Sequence, residues 1–247
     1  MKTVHHKFML LLGEIIENLA NLAEKTKHMV MPGRTHGRHA IPITYGYKVS
    51  VWISDFIDCY QRMRECEKRV FTIMMGGAVG AFNSMPEVGM KVQKRVAELV
   101  GMEAMEVPSR NLSSHKLEYM AKLTLMANSC HKIGEEVYST TLEEIAEVSE
   151  GFTKGTVGSS TMPHKINPKL AKGIIANSQK LYSLPSVGMY SAVRPYEGDS
   201  SSYMLFDGLL EEALELTTEI LLRTEELSRT IVPHEERMLH NVMRNKG

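Results

Sequence analysis

From Ser114 to about Ser149 the chain carries no proline and a single glycine, Gly134, while Leu117, Met120, Ile133, Val137, Leu142, Ile145 and Val148 recur at a helical period. A segment of that length makes roughly 50 Å of helix at about 1.5 Å per residue. Its apolar stripe can be buried only against other long helices. The sequence supplies them. Phe8, Leu11, Leu12, Ile15, Ile16, Leu19, Leu22 and Ala23 form one stripe, and Val51, Trp52, Phe56, Ile57, Tyr60 and Met63 form another within a helix predicted from about Thr44 to Phe71. Ser84, Pro86 and Glu87 have the spacing of a capping box, so a shorter helix is expected from there to Gly101, with Val88, Val92, Val96 and Leu99 on its core face. Further helices are expected from about Lys169 to Tyr182, broken near Pro185, and from about Tyr203 to Thr230, with an amphipathic start at Glu235. With no alternating strand pattern, the fold class is all-α, an elongated bundle of long helices that assembles with other subunits to cover its stripes.

Composition narrows the function classes. Hydrophobic residues make up 43% of the 247, enough for a substantial core, and Lys plus Arg equals Asp plus Glu at 29 each. No global field recruits nucleic acid or an anionic membrane, so any anion binding is local. Cys59, Cys66 and Cys130 are widely spaced and form no Cys-x-x-Cys, against a disulfide scaffold or a structural zinc site. They read as reduced thiols of a cytoplasmic protein. No apolar run reaches the ~20 residues of a membrane span, and the opening Met-Lys-Thr-Val-His-His-Lys is not expected to act as a secretory signal. The eighteen methionines at helical spacing read as flexible core filler.

Two stretches do not look like packing elements. The first, Gly151 to Pro168, holds glycines at 151, 155 and 158, the pair Ser159 and Ser160, Lys165 and Asn167, with Pro163 and Pro168 bracketing its polar end. The glycines permit backbone angles closed to other residues, and the concentration of a base or nucleophile, a cation and an amide favours a functional loop over a mere solvated connection. A phosphate-binding P-loop fails on residue order, because Gly155 is followed by Thr156 and Val157 rather than by Lys and Ser or Thr. Neither serine lies in a nucleophile elbow, and the better role for one of them is a base whose oxyanion is stabilised by Lys165 and backbone N–H groups.

The second stretch, Val30 to Pro42, reads as a polar loop in which His36 can titrate near neutral pH and serve as acid or base. His36 and His39 have the spacing of a short metal-binding pair, as His5 and His6 have the proximity. Neither pair has a carboxylate or cysteine at ligand spacing, so no metal is assigned.

Gly158-Ser-Ser-Thr-Met-Pro-His-Lys-Ile-Asn-Pro168 resembles the Gly-Ser-Ser-x-Met-Pro-x-Lys-x-Asn signature of the fumarase/aspartase superfamily. Arg34-Thr-His-Gly-Arg-His-Ala-Ile-Pro42 resembles its Thr-His-x-x-x-Ala-x-Pro signature, in the form used by adenylosuccinate lyases and 3-carboxy-cis,cis-muconate cycloisomerases. The resemblance implies β-elimination of a C–N or C–O bond next to a carboxylate, usually with release of fumarate, on a small di- or tricarboxylate and with no metal or organic cofactor. By the same resemblance Ser159 is the base that removes the proton alpha to a carboxylate and His36 the acid that protonates the leaving group. Lys165 and Asn167 would hold substrate carboxylate and the developing aci-carboxylate, with Thr35, Arg34 and Ser160 as substrate-binding neighbours.

The resemblance further implies a homotetramer with active sites shared between subunits, and an adenylosuccinate lyase-like place in purine biosynthesis. It casts residues 1–232 as the central bundle domain and 233–247 as the start of a truncated C-terminal domain, with the family's N-terminal domain absent. On that expectation the chain tetramerises yet turns over weakly or not at all. Two positions depart from adenylosuccinate lyases. Lys172 stands where a glutamate is common, as it is not in muconate cycloisomerases, and Glu197-Gly-Asp199 stands where Glu-Arg-Asp is common. Competing readings are a carboxymuconate cycloisomerase-like enzyme and a non-catalytic helical assembly module.

Overall fold

Five long helices carry the fold. In the computed structural model, which describes residues 1–151, 162 and 166–244, these are α1 (Lys2–Thr26), α2 (Tyr45–Val70), α4 (Ser114–Thr140), α5 (Lys169–Ala192) and α6 (Ser200–Thr230). The longest, at 31 residues, spans about 46 Å. Two shorter helices, α3 (Gly89–Val100) and α7 (Glu235–Met243), flank them. Helix α4 packs against α2, α5 and α6, and α1 closes the bundle against α2 and α6. Leu12, Ile15, Leu19, Phe56, Leu123, Ile133, Ile174, Ala213, Leu221 and Leu227 are all fully buried between them. Burial of each large aliphatic side chain stabilises the bundle by roughly 2 kcal/mol.

The expected faces need correcting at two helices. On α2 the buried stripe runs Val49, Trp52, Phe56, Cys59, Met63, Cys66 and Val70, whereas Val51, Ile57 and Tyr60 are exposed. The two cysteines act as small apolar residues and turn the stripe away from the larger side chains. On α3 the covered residues are Gly89, Gln93 and Ala97, while Val88 and Leu99 face outward. Gln93 decides this: its amide accepts from the backbone N–H of Met75 and donates to the carbonyl of Met105, both at 2.8 Å, so a polar residue is held inside. Ser84 does not cap α3, which begins at Gly89, although Gly101 ends it in the left-handed conformation.

Helix ends also differ. Helix α4 stops at Thr140, short of Ser149, and the chain turns so that Ala146 takes φ 51°. Helix α5 continues through Pro185 to Ala192. Leu184 and Gly188 on either side of the proline are buried, and a Cβ on Gly188 would lie 3.1 Å from Leu117. Close packing there outweighs the hydrogen bond that proline removes. Helix α6 begins at Ser200, where Asp199 Oδ1 accepts the backbone N–H of Ser201 at 2.8 Å.

Short strands join the helices. Strands β3 (Thr72–Ile73) and β4 (Glu103–Ala104) pair in parallel, and β5 (Val148–Ser149) pairs antiparallel with β6 (Val232–Pro233). The polar stretch 30–44 is a hairpin, with β1 (Val30–Thr35) antiparallel to β2 (Arg38–Thr44). Among the described residues no helix is long and apolar enough to cross a membrane. Cys59, Cys66 and Cys130 are free and buried.

Candidate active site

The hairpin is built to present one residue. Pairing runs from Val30 with Thr44 to Thr35 with Arg38, leaving His36 and Gly37 as the two-residue turn at φ 52° and 71°. Two positive φ angles define a primed turn, the kind whose twist suits a tight hairpin. Glycine adopts this freely, and histidine is among the few side chains that visit it. His36 therefore stands exposed at the apex.

The base of the hairpin is fixed. The register shifts between Pro32 and Arg34, and a Cβ on Gly33 would lie 2.5 Å from the carbonyl oxygen of Ile41, so only glycine fits beside that bulge. Met31 is fully buried, and Tyr45 N–H donates to the carbonyl of Met29 at 2.8 Å where the hairpin returns to α2. Thr44 caps α2 by accepting the N–H of Tyr47.

Arg34 does not point toward solvent with its neighbour Thr35. Its Nη1 and Nη2 donate to the two carboxylate oxygens of Glu147 at 2.8 and 2.6 Å, and Nη2 lies 3.4 Å from Nε2 of His39. Glu147 is 0% exposed, and its Oε1 also accepts from Asn241 of α7 at 2.8 Å. A buried carboxylate so bracketed is satisfied by a fork of donors rather than by water. The left-handed residue Ala146 precedes it, and the backbone carbonyl of Glu147 accepts the N–H of His234 at 2.9 Å.

Residues 147–151 also hold the start of the serine-rich stretch. Glu150 accepts the N–H groups of Leu170 and Ala171 at 3.0 and 2.7 Å, so its carboxylate caps α5. Burial pushes the Glu150 carboxyl above the ordinary carboxylate range, against those backbone donors, which pull it down. Ser149 Oγ lies 3.0 Å from Nε2 of His234. A Cβ on Gly151 would fall 2.2 Å from the carbonyl oxygen of Thr230, so the chain passes α6 as closely as a backbone can. Asn167 is half-buried immediately before Pro168, the residue that opens α5.

The sequence-derived site residues thus separate into three groups. Ser159, Ser160 and Lys165 lie outside the described residues. His36 and Thr35 are exposed on the hairpin, and Arg34 is turned inward to Glu147. Asn167 sits at the far end of the stretch whose near end follows Glu150. The hairpin and this stretch share one junction, and Glu147, Glu150 and Asn241 are the residues of that junction that periodicity did not single out. The signal for the first two was the cluster of acids at the end of an otherwise apolar helical pattern, beside Gly151.

The two departures from the signature pattern are also placed. Lys172 is exposed in the first turn of α5, its N–H bonded to the carbonyl of Pro168 at 3.2 Å. Gly198 has φ 125°, where any side chain is strained, and a Cβ there would lie 3.0 Å from Cβ of Arg110.

A protein-family model described as "Lyase" matches residues 1–180, which include both signature stretches. The chain belongs to this family of lyases, the fumarase/aspartase superfamily. An adenylosuccinate lyase of Methanocaldococcus jannaschii is 34% identical over 239 residues, 96% of this chain and 52% of that protein. An N-acetyl-S-(2-succino)cysteine lyase of Dickeya dadantii is 32% identical over 185 residues, 75% of this chain and 41% of that protein. The chain spans about half the length of the curated relatives it matches. The crystal structure of the 3-carboxy-cis,cis-muconate lactonizing enzyme from Pseudomonas putida shares the fold, with a TM-score of 0.90 over 98% of this chain and 53% of that one at 24% identity.

Proposed function

We propose that this chain forms part of a lyase that eliminates a heteroatom from a succinyl adduct and releases fumarate. The observation that carries the reading is the presentation of His36: a primed turn lifts it to the hairpin apex and a buried ion pair at Arg34 anchors the strand two residues before it, within a segment matched by the lyase family. The printed names of the two relatives, adenylosuccinate lyase and N-acetyl-S-(2-succino)cysteine lyase, share the succino group and differ in what leaves it. The proposed substrate class is therefore the succinyl adduct, with an amine or thiol as the leaving group.

In this scheme Ser159, as its oxyanion, takes the proton from the carbon alpha to one carboxylate. The electron pair moves into that carboxylate as an aci-carboxylate, which Lys165 and Asn167 stabilise electrostatically, with Ser160 and Thr35 beside them. Collapse expels the heteroatom on the adjacent carbon, and His36 delivers its proton. Proton count and charge close on fumarate and a neutral leaving group. No metal or organic cofactor takes part in these steps. Arg34, expected among the substrate ligands, serves in this scheme through Glu147 as a support for the hairpin.

The proposed assembly is a homotetramer with shared sites. Val51, Ile57 and Tyr47 on α2 and Leu125 and Tyr138 on α4 are exposed along the bundle, as an assembling surface would be. Analytical ultracentrifugation that finds only monomer would refute it.

The catalytic reading is tested by following fumarate in the ultraviolet with adenylosuccinate and N-acetyl-S-(2-succino)cysteine, using the wild-type chain, Ser159→Ala and His36→Asn. Release in the wild type that both variants lose supports the assigned roles and names the leaving group. Release undiminished in Ser159→Ala refutes the base assignment, and release from neither adduct by the chain and by the full-length gene product alike refutes the substrate class.

A further inference from the structure

His5, in the first turn of α1, is 4% exposed, and its ring joins three helices. Nε2 lies 3.2 Å from Oε1 of Glu67 near the end of α2, and Nδ1 lies 3.3 Å from the hydroxyl of Tyr119 near the start of α4. These contacts settle the tautomer. An ionised carboxylate only accepts, so Nε2 carries the proton and donates to Glu67, which leaves Nδ1 of the neutral ring to accept from the Tyr119 hydroxyl. Tyr119 is fully buried, and its hydroxyl has no other partner among the described residues.

Protonation undoes this arrangement. With protons on both nitrogens His5 has only donors, so the Tyr119 oxygen must accept from Nδ1 and its own O–H is left without an acceptor. The counter-charge is also shared, because Oε1 of Glu67 accepts from Arg64 at 3.1 Å. Burial accordingly holds the imidazole below its usual range, against the pull of Glu67 in the other direction, while Arg64 and His6 add to the lowering. Beside Tyr119, burial pushes the Cys66 thiol up, and Glu118 of α4 is paired with Arg69.

More than the three helices hangs on this ring. It packs edge-on against Phe71, with centres 4.8 Å apart at 63°. Phe71 ends α2, and its carbonyl accepts the N–H of Glu103, the first residue of β4. In the same turn of α1, Lys2 Nζ donates to the carbonyl of Val100 at 2.7 Å and to that of Gly101, at the end of α3. The unit formed by β3, α3 and β4 is therefore fastened to the first turn of α1 at two points, an ammonium and a ring that can titrate.

We propose that His5 is an acid-sensitive latch: neutral, it fastens the β3–α3–β4 unit to α1, α2 and α4, and on gaining a proton it loosens that unit from the bundle. The latch is separate from the hairpin and stands whether or not the chain acts as a lyase. Its direction follows from linkage. Between the usual 6.5 and the lowered folded value, an open form that exposes His5 holds more proton than the closed one. The hold is complete above pH 6.5, weakens as pH falls through that window, and is constant below it.

Two measurements on the full chain test it. Ring-nitrogen NMR of histidine-labelled protein reads the tautomer, and amide hydrogen exchange of residues 89–104, corrected for the intrinsic pH dependence of exchange, reads the latch. The His5 resonances, assigned by their loss in His5→Gln, should show the Nε2–H form at pH 7 and titrate below 6.5. Protection of 89–104 relative to α6 should fall by up to about tenfold per pH unit through the window, the slope of one proton. The fall should be absent in His5→Gln, which leaves Glu150 and His115 in place to titrate. Glu67→Gln keeps an acceptor for Nε2 but removes a charge that favours the imidazolium, so it should move the window to lower pH. Glu67 has 29% side-chain exposure, so this variant gives a readout even if His5→Gln does not fold. An Nδ1–H or cationic ring at pH 7 overturns the proposal. So does protection of 89–104 that does not change with pH, that falls equally in His5→Gln, or whose window is unmoved by Glu67→Gln.

Discussion

Arg34 and Glu147, 113 positions apart in the chain, meet through two hydrogen bonds of 2.8 and 2.6 Å in a junction where the carboxylate is wholly buried. One partner belongs to the hairpin that carries His36. The other begins the short segment that leads into the serine-rich stretch. The pair makes the hairpin's position depend on that segment, and α7 joins the same carboxylate through Asn241.

The pair is asymmetric, which gives the first prediction. Arg34→Met leaves Glu147 buried with the Asn241 amide as its one side-chain donor among the described residues, whereas Glu147→Gln leaves Arg34, at 18% side-chain exposure, able to reach water. Breaking a buried pair from the side that strands a charge costs about 3–5 kcal/mol. Urea unfolding should show Arg34→Met near that range and Glu147→Gln clearly less. Equal losses would show that the carboxylate is not the deeper partner.

Glu150 sets a pH dependence. Its folded pKa lies above the usual 4.5 because of burial, so between that value and the raised one the folded state holds more proton than the unfolded state. Stability contributed at Glu150 therefore falls as pH rises through that window and is constant beyond it. Glu150→Gln keeps an acceptor for the α5 N–H groups and has no charge to desolvate. Its unfolding free energy relative to wild type should improve as pH increases from 4.5, and a difference that stays flat with pH would contradict the burial argument.

The apex separates stability from chemistry. His36→Asn keeps a residue suited to positive φ next to Gly37, and Asn-Gly is a favoured pair for a primed turn. The melting temperature should be unchanged or slightly higher, while turnover, if His36 is the acid, should fall by about 10²–10⁴. Gly37→Ala is the converse: nothing lies within 4 Å of an added Cβ, so the roughly 1 kcal/mol loss expected comes from φ 71° alone.

The helices were legible because their stripes are long, and their ends were not because the deciding contacts are remote in sequence. Periodicity carries on past Thr140 through Leu142, Ile145 and Val148, and nothing local announces that Ala146 will turn left-handed to bury Glu147. Pro185 reads as a break only when Leu117 on α4 is out of view. Gln93 inverts the face of α3 through two backbone groups, of Met75 and Met105, that no period of α3 contains. At the site, the chemistry-bearing residue types of the hairpin were visible as a motif, but Arg34 could not be assigned from sequence. An arginine beside a signature histidine reads as a ligand for substrate until its carboxylate partner is known.

Gly151 offers the sharpest test of the junction. An added Cβ would sit 2.2 Å from the carbonyl oxygen of Thr230 and 2.9 Å from its Cβ, and the nearest of these atoms is backbone at the end of α6. Rotating a side chain cannot relieve the overlap, so either α6 or the segment 147–151 must move. Overpacking of this kind costs about 1–3 kcal/mol when the surroundings yield. Because Glu147 and Glu150 ride on the moving segment, Gly151→Ala should also weaken their hydrogen bonds to Arg34 and to α5. Amide hydrogen exchange should then quicken in β1 and in the first turn of α5, well away from residue 151 itself. Destabilisation confined to the end of α6, with β1 and α5 exchanging as in the wild type, would mean that the three elements are not held in common.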